Sequence, residues 1–349
     1  MRAIVQSSFG HPSVLALAEV APDSAGPHRV KVFVTGAGGF IGRAVAERFR
    51  AQGAEVAGVD LAADPKLGIV AGDIASSGSW QAAVAGADAV VHTAAIVSNA
   101  YDLDESWRVN VLGTRNALDA AATAGVRRFV HLSSVRAFSD LGFPDGVDEI
   151  HPVRPDGNPY VDTKIASEQV VLQAHAAGEV EGAIARPGDV YGPGSRPWTV
   201  LPLEIIKSNR FILPANGRGV FSPVYVDDLV TGLTLLAERP EAAGEVFTLG
   251  PARGVPTKEF FSHYYRMLGK RGPICLPTPL AVTAAQVAGA TERLRGNRTE
   301  INAASMRYLA RPGGYSIEKA RRLLGYEPQV SLDEGMRRTE AWLREQRLL

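Results

Sequence analysis

The chain has 349 residues, 46% hydrophobic and 21% charged, with 37 basic and 37 acidic side chains and so no formal net charge. That length suits one large domain, or a large one with a smaller partner. With no basic excess to hold a phosphate backbone, nucleic acid is excluded as an expected partner. Cys275 is the only cysteine and no two histidines stand four apart, so neither an internal disulfide nor a thiolate or histidine metal site is expected. No apolar run reaches the roughly 18 residues of a membrane span. Glu19 interrupts the short apolar stretch Ser13–Ala18 before it could serve as a signal core, so the expectation is a soluble, cytoplasmic chain with no membrane span.

The first 28 residues precede the main pattern. Met1–Val5 and Val14–Val20 read either as a hairpin closed across Phe9-Gly10-His11-Pro12 or as a poorly ordered tail. Met-Arg-Ala-Ile-Val, then Phe-Gly-x-Pro-x-Val-Leu, then Glu19-Val20 resemble the opening of medium-chain, quinone-oxidoreductase-like dehydrogenases, whose remaining pattern is absent. This segment is expected to be an appended element.

From Val30 onward, short β-branched runs alternate with helical segments. Strands are expected at Val30–Thr35, Ala54–Val59, Ala87–His92, Arg128–Ser133 and Gly182–Arg186, with helices at Ile41–Gln52, Asp104–Ala124 and Pro159–Ala177. Continuous apolar strands separated by helices mean a parallel sheet covered on both faces. The expected fold class is therefore α/β, a Rossmann-type doubly wound parallel sheet. Past Pro187 the chain is punctuated by Gly188, Gly192, Pro193, Gly194 and Pro197. Val226–Leu236 and Glu245–Leu249 return to the earlier rhythm, and helices follow near Thr257–Leu268, Pro279–Leu294, Ile317–Leu323 and Leu332–Gln346. The expected division is an extension over 1–28, a cofactor-binding domain over 29–187, and a smaller, mostly helical C-terminal substrate lobe over 188–349, with 224–250 rejoining the first domain.

Val32-Phe33-Val34-Thr35-Gly36-Ala37-Gly38-Gly39-Phe40-Ile41-Gly42 runs from strand through a glycine turn into a helix. Gly36 permits the tight turn, Gly39 lets backbone approach a pyrophosphate, and Gly42 lets the helix pack on the sheet. The N–H groups at the helix start, at Phe40 and Ile41, and the helix dipole favour phosphate there. Asp60 ends the next strand, where a carboxylate accepts from ribose hydroxyls and repels a 2′-phosphate. Leu61-Ala62-Ala63 add no cation, so NAD is favoured over NADP. Asp73 and Ile74 close a third strand, Asp73 either accepting from the adenine amino group or capping a helix. Thr93-Ala94-Ala95 end a fourth, where small residues let the backbone run along the cofactor, and His92 before them reads as a packed strand-end residue.

Tyr160-Val161-Asp162-Thr163-Lys164 places a phenol and an ammonium on one helix face. A tyrosine base requires a pKa about three units below its usual value of about 10, roughly 4 kcal/mol. One cation about 4 Å away at an effective dielectric near 20 gives about that much. Lys164 is the expected source, and it can also hold the nicotinamide ribose. Ser134 is placed to donate to the substrate oxygen, with Ser133 as the fallback. Asn110, mid-helix, either bends the helix and supports a water chain to Lys164 or fills a polar gap. Pro187, in Arg186-Pro187-Gly188, shapes the turn where the carboxamide would lie.

Thr35-Gly36-x-x-Gly39-x-x-Gly42, Asp60, Ser134, Tyr160-x-x-x-Lys164 and Arg186-Pro187-x-x-x-Tyr191-Gly192-Pro193 together resemble the extended short-chain dehydrogenase/reductase family, the NAD-dependent epimerase/dehydratases, over about residues 30–346. The resemblance implies a two-lobed fold, NAD(P), hydride chemistry on a small-molecule substrate, and a homodimer. Phe221-Ser222-Pro223-Val224-Tyr225-Val226-Asp227-Asp228-Leu229 and the tail Tyr315–Arg321 are similar to the 3β-hydroxysteroid dehydrogenase-like branch. Nucleotide-sugar enzymes usually show Arg-Asp-Phe before Tyr-Val-Asp-Asp, and Asn where this chain has Asp189. Losing that Arg removes an expected diphosphate partner. Apolar Leu280, Val282, Val287 and Ala288 suit either a lipid-like substrate or a helix core. Three readings follow: a dehydrogenase/reductase of a secondary alcohol or ketone on a hydrophobic molecule, a nucleotide-sugar epimerase or dehydratase, and a non-catalytic NAD-sensing scaffold. The intact Ser134, Tyr160 and Lys164 argue against the scaffold.

Overall fold

The computed structural model describes residues 2–6, 15–19, 29–140 and 144–349. Strands β1 (Arg2–Gln6) and β2 (Leu15–Glu19) pair antiparallel, Arg2 opposite Glu19. The expected turn at Phe9–Pro12 lies outside the described residues.

Five consecutive parallel strands follow: β3 (Lys31–Thr35), β4 (Glu55–Asp60), β5 (Ile69–Ala71), β6 (Ala89–His92) and β7 (Arg128–Leu132). Next come β8 (Glu181–Pro187) and the short β9 (Asp189–Tyr191), β10 (Ile212–Leu213), β11 (Val220–Phe221) and β12 (Pro223–Tyr225), before β13 (Val246–Leu249). The main sheet has seven strands in the order β5-β4-β3-β6-β7-β8-β13, all parallel. The alternation of side chains along a strand splits its residues between two cores. Val32 and Val34 face one core and Phe33 the other, all three fully buried.

Helices α1 (Phe40–Ala51), α2 (Leu103–Trp107), α3 (Gly113–Thr123), α4 (Pro159–Ala176), α5 (Leu201–Lys207) and α6 (Val226–Glu238) supply most of the cover. Val45 and Phe49 of α1 and Leu229 and Leu233 of α6 join Val32 and Val34; Leu118 of α3 and Val171 of α4 join Phe33. The chain leaves β3 toward β4 on one side and resumes at β6 on the other. That reversal opens a crevice beyond the carboxyl ends of β3 and β6, where ligands of such sheets bind.

Past β13 come α7 (Thr257–Met267), α8 (Thr278–Leu294), α9 (Ala303–Leu309), α10 (Glu318–Leu324) and α11 (Leu332–Glu345). Phe260, Ala281, Met306 and Leu343 from these helices pack into the same continuous core as Val34 and Ala185 of the sheet. Strand β9 pairs parallel with β12 beyond the end of β8. No helix of the described residues is long and apolar enough to cross a membrane.

One expected element differs. The helix read across Asp104–Ala124 is interrupted: Arg108–Leu112 form a π-helical turn between α2 and α3. Single π turns interrupt helices where a local side-chain bond competes with the regular ladder, often beside functional sites. Here the Asn110 carbonyl takes the Thr114 hydroxyl at 2.6 Å, and the Asn110 side chain is turned inward and buried.

Candidate active site

The glycine turn between β3 and α1 is built on contacts that only glycine tolerates. Gly36 has φ +66°, the left-handed region. A Cβ on Gly42 would lie 2.1 Å from the Gly36 carbonyl oxygen. The N-cap of α1 is Gly39, with no side-chain cap. The first-turn N–H groups at Phe40, Ile41 and Gly42 therefore keep the unpaired donors and positive dipole end of a helix start. Phe40 and Ile41 are half-buried at this rim. The Asp60 carboxylate accepts from the Gly38 N–H at 2.9 Å and the Leu61 N–H at 2.7 Å, which fixes it beside the turn.

The other expected cofactor contacts are distributed around this turn. The Thr93 hydroxyl donates to the Thr35 carbonyl at 2.7 Å, and the Ala94 backbone passes close enough to Gly36 that a Cβ there would meet it at 3.0 Å. Ala95 is half-buried next in line. Asp73 accepts from the Ala75 N–H at 2.9 Å and pairs with Arg108 at 2.9 Å; the Arg108 hydrogen bond holds its carboxyl below the usual range. Ile74 is buried against Gly113, and its carbonyl takes the Asn116 side chain at 2.9 Å, so it packs more than it presents. Pro187 ends β8, in register with Leu249. A cradle that a Cβ would fill, an uncapped helix start and a fixed carboxylate at the neighbouring strand end fit a dinucleotide.

His92 is a packed residue with its tautomer set by its neighbours. Thr114 gives its hydroxyl proton to the Asn110 carbonyl, so His92 Nε2 must donate to Thr114 Oγ1 at 3.0 Å. Nδ1 then accepts from the Thr35 hydroxyl at 2.8 Å. Burial pushes its pKa down to about 3, so the ring is neutral and both its nitrogens are engaged.

Asn158 caps α4, accepting from the Tyr160 N–H at 3.0 Å, with Pro159 at the first helical position. Tyr160 and Lys164 are both buried, and they meet the same stretch of chain. Lys164 Nζ donates to the Leu132 carbonyl at 2.7 Å at the end of β7, and Ser134, two residues on, draws the pKa of the Tyr160 phenol down. Ser134 Oγ accepts from the Arg136 N–H at 3.2 Å, leaving its proton for the site. Ser133 points elsewhere: its hydroxyl donates to Glu168 at 2.5 Å, so the fallback is engaged in the core. Asn110 ties the segment after β6 to α4. Its amide accepts from the Ile96 N–H at 2.8 Å and donates to the Ile96 carbonyl at 3.1 Å and the Thr163 hydroxyl at 3.0 Å.

The electrostatics differ from the sequence reading. Burial pushes the Tyr160 phenol up, and the groups that draw it down are Ser134 and the Arg136 guanidinium rather than Lys164. Burial also pushes Lys164 down to about 8, with Glu168 opposing. The sequence reasoning passed over Arg136, Glu168, Arg311 and Tyr308. Arg136 carried a usable signal, a charge inside the otherwise apolar Val135–Phe138.

Residues 32–250 match the model of the NAD dependent epimerase/dehydratase family. The chain belongs to that family. Among its relatives it is 30% identical over 330 residues to a 2-alkyl-3-oxoalkanoate reductase of Stenotrophomonas maltophilia, covering 89% of this chain and 99% of the relative. It is also 30% identical over 328 residues to a 3 beta-hydroxysteroid dehydrogenase/Delta 5-->4-isomerase of Mycobacterium tuberculosis, covering 88% of each. In structure it is similar to "MoeE5 in complex with UDP-glucuronic acid and NAD", with a TM-score of 0.73, 26% identity, and coverage of 90% of this chain and 99% of that one. This family member is thus an NAD-dependent oxidoreductase on a Rossmann-type sheet.

Proposed function

We propose that the enzyme interconverts a ketone and a secondary alcohol on a predominantly hydrophobic molecule, with Tyr160 as acid and base, Ser134 as donor to the substrate oxygen, and Lys164 toward the cofactor ribose. Gly36, Gly39, Phe40, Ile41 and Gly42 hold the pyrophosphate, Asp60 the adenosine ribose, and Asp73, Thr93–Ala95 and Pro187 the remaining edges, with Ile74 and Asn110 packed behind them as supports. NAD held by these residues would supply hydride acceptance or donation at the reacting carbon. Tyr160 Oη receives the hydroxyl proton in oxidation and gives it to the oxygen in reduction. Ser134 holds that oxygen and stabilises its developing charge.

The observation that carries the choice of substrate is Phe221. It occupies the place where nucleotide-sugar enzymes usually carry an arginine. Its side chain is fully buried, with ring centroids 4.8 Å from Trp198 and 4.5 Å from Phe260. An aromatic cluster there gives a diphosphate nothing to bind. The buried guanidiniums beside Tyr160 and Tyr308 each face a carboxylate already, Arg136 that of Asp140 and Arg311 that of Asp189 at 3.3 Å, although the Arg311 Nε keeps no hydrogen-bond partner. The names of the two relatives specify an oxo or hydroxy group on an alkyl or steroid frame.

The test is a panel of 2-alkyl-3-oxoalkanoates, 3β-hydroxysteroids and UDP-sugars followed by NADH absorbance. The expected result is net NADH consumption or formation with an apolar keto or hydroxy compound. Turnover of a UDP-sugar with no net change in NADH would establish an epimerase and end this reading.

Replacing Asp60 with Ala tests the cofactor assignment. A hydrogen bond to a charged group contributes about 1.5–3 kcal/mol, so NADH affinity is expected to fall at least about tenfold. The preference for NADH over NADPH should narrow as the carboxylate facing the 2′ position disappears. Fluorescence titration with both nucleotides measures this; an unchanged ratio would remove Asp60 from the ribose.

A further inference from the structure

Arg136 lies two residues past Ser134, in a turn whose other side chains, Val135, Ala137 and Phe138, are apolar and buried. A guanidinium there must be matched or it is strongly destabilising. Asp140 matches it through two bonds, Nε to Oδ1 at 2.9 Å and Nη2 to Oδ2, while Nη1 donates to Asn99 Oδ1 at 2.9 Å. So clamped, the guanidinium carbon lies 5.2 Å from the Tyr160 ring centroid and 4.9 Å from that of Tyr308. Arg311 in turn lies 3.6 Å from the Tyr308 centroid and 5.4 Å from that of Tyr315. Rings and guanidiniums thus alternate from the catalytic helix into the C-terminal region: Tyr160, Arg136, Tyr308, Arg311, Tyr315.

We propose that Arg136 is a positioning residue whose charge, fixed against the Tyr160 ring by Asp140 and Asn99, favours the phenolate form of Tyr160 in the proton-transfer step. The inference rests on the reading of Tyr160 as acid and base. Cation–π placement within about 6 Å of a ring, and an opposite charge within about 4–6 Å of an ionising group, both favour the anion. The groups facing Tyr160 come from several elements. Ser134, Arg136 and Asp140 come from the turn after β7 and Asp189 from β9, while Tyr308, Arg311 and Tyr315 of the C-terminal region stack behind Arg136, and Lys164, on the same helix as Tyr160, turns to the Leu132 carbonyl. Ser134 and Arg136 lower the phenol's pKa, and Asp140 and Asp189 raise it.

This balance gives a test in which two variants of one ion pair must move a pH profile in opposite directions. In alcohol oxidation Tyr160 acts as base, so kcat/KM rises as it loses its proton. Arg136→Met removes a cation and should move the rising limb up by about 1 pH unit. Asp140→Asn removes an anion, leaves the cation, and should move it down by about 1 unit. Arg136→Lys keeps the charge and should restore the parent limb in part. A purely structural pair predicts lower activity in both variants with the limb unmoved, or moved in one shared direction, and either result overturns the proposal. If Arg136→Met does not fold, Asp140→Asn decides alone: an unmoved or raised limb refutes. Ultraviolet titration of tyrosinate, taken as the difference between each variant and its Tyr160→Phe counterpart, reads the phenol without turnover. It separates this inference from the broader reading. If Tyr160→Phe retains full turnover, the assignment of Tyr160 as acid and base fails, while the titration still reports whether Arg136 sets its charge.

Discussion

Replacing Tyr160 with Phe is expected to lower kcat by about 10³-fold, within the roughly 10²–10⁴ that a positioned acid or base contributes, while NADH binding is largely kept. The variant removes one oxygen from a buried side chain and leaves its ring over the Arg136 guanidinium. The N-cap of α4 is untouched, because Asn158 accepts from the backbone N–H of residue 160 rather than from its side chain. Loss of turnover therefore reports chemistry and not folding. Single-turnover hydride transfer, followed as NADH absorbance in both directions, measures it. Turnover within about threefold of the parent would be far below the contribution of any positioned acid or base. It would remove Tyr160 as the acid and base and place the proton transfer on another group.

The parts of this site that were legible in the sequence are those encoded locally. Gly36, Gly39 and Gly42 stand in one short turn, and the requirement for glycine is met within it: the Gly42 Cβ position collides with the Gly36 carbonyl. Tyr160 and Lys164 are one helical turn apart, so their common face follows from helix geometry. The alternating strands were readable because a parallel sheet covered on both faces needs apolar residues on both. What resisted was set by the meeting of distant segments. Ser133 and Ser134 are adjacent in sequence and differ only in which way the strand end turns, which Glu168 on α4 reveals by taking Ser133. The ladder through Arg136, Tyr308 and Arg311 joins residues more than 170 positions apart, and no local pattern encodes it. The expected action of Lys164 on Tyr160 assumed that the nearest cation in sequence would be the governing one. The fold brings Arg136 over the ring and sends the Lys164 ammonium to the Leu132 carbonyl. A bend at Asn110 was legible, but its form as a π turn was not, because the side chain is drawn inward by Ile96 and Thr163, residues of two other segments.

Glu168→Ala is expected to be the most destabilising single change at this site, by about 3–5 kcal/mol, the cost of leaving one member of a buried ion pair alone. Glu168 and Arg186 are 1% and 5% exposed, joined by Nε to Oε1 at 2.9 Å and Nη2 to Oε2 at 2.6 Å. The carboxylate also takes the Ser133 hydroxyl, so its removal strands a guanidinium and a hydroxyl together. Arg186 Nη1 already lacks a hydrogen-bond partner, and the guanidinium rests 4.6 Å from the Phe138 ring centroid, a contact too weak to replace a carboxylate. Urea denaturation measures the loss. The double variant Glu168→Leu, Arg186→Met should be less destabilised than the single one, because it removes both charges and keeps the volume apolar. A double variant as unstable as Glu168→Ala would show that the pair stabilises by shape rather than by charge. The same carboxylate also acts on Lys164. It opposes the burial that pushes Lys164 down to about 8. In the isosteric Glu168→Gln variant that opposition is gone, so the Lys164 pKa should fall further and its ammonium lose its proton at lower pH. If Lys164 holds the nicotinamide ribose as an ammonium, NADH affinity in Glu168→Gln should begin to weaken at a lower pH than in the parent. An identical pH dependence of affinity in the two proteins would separate Lys164 from cofactor binding and leave it a structural tie to the end of β7.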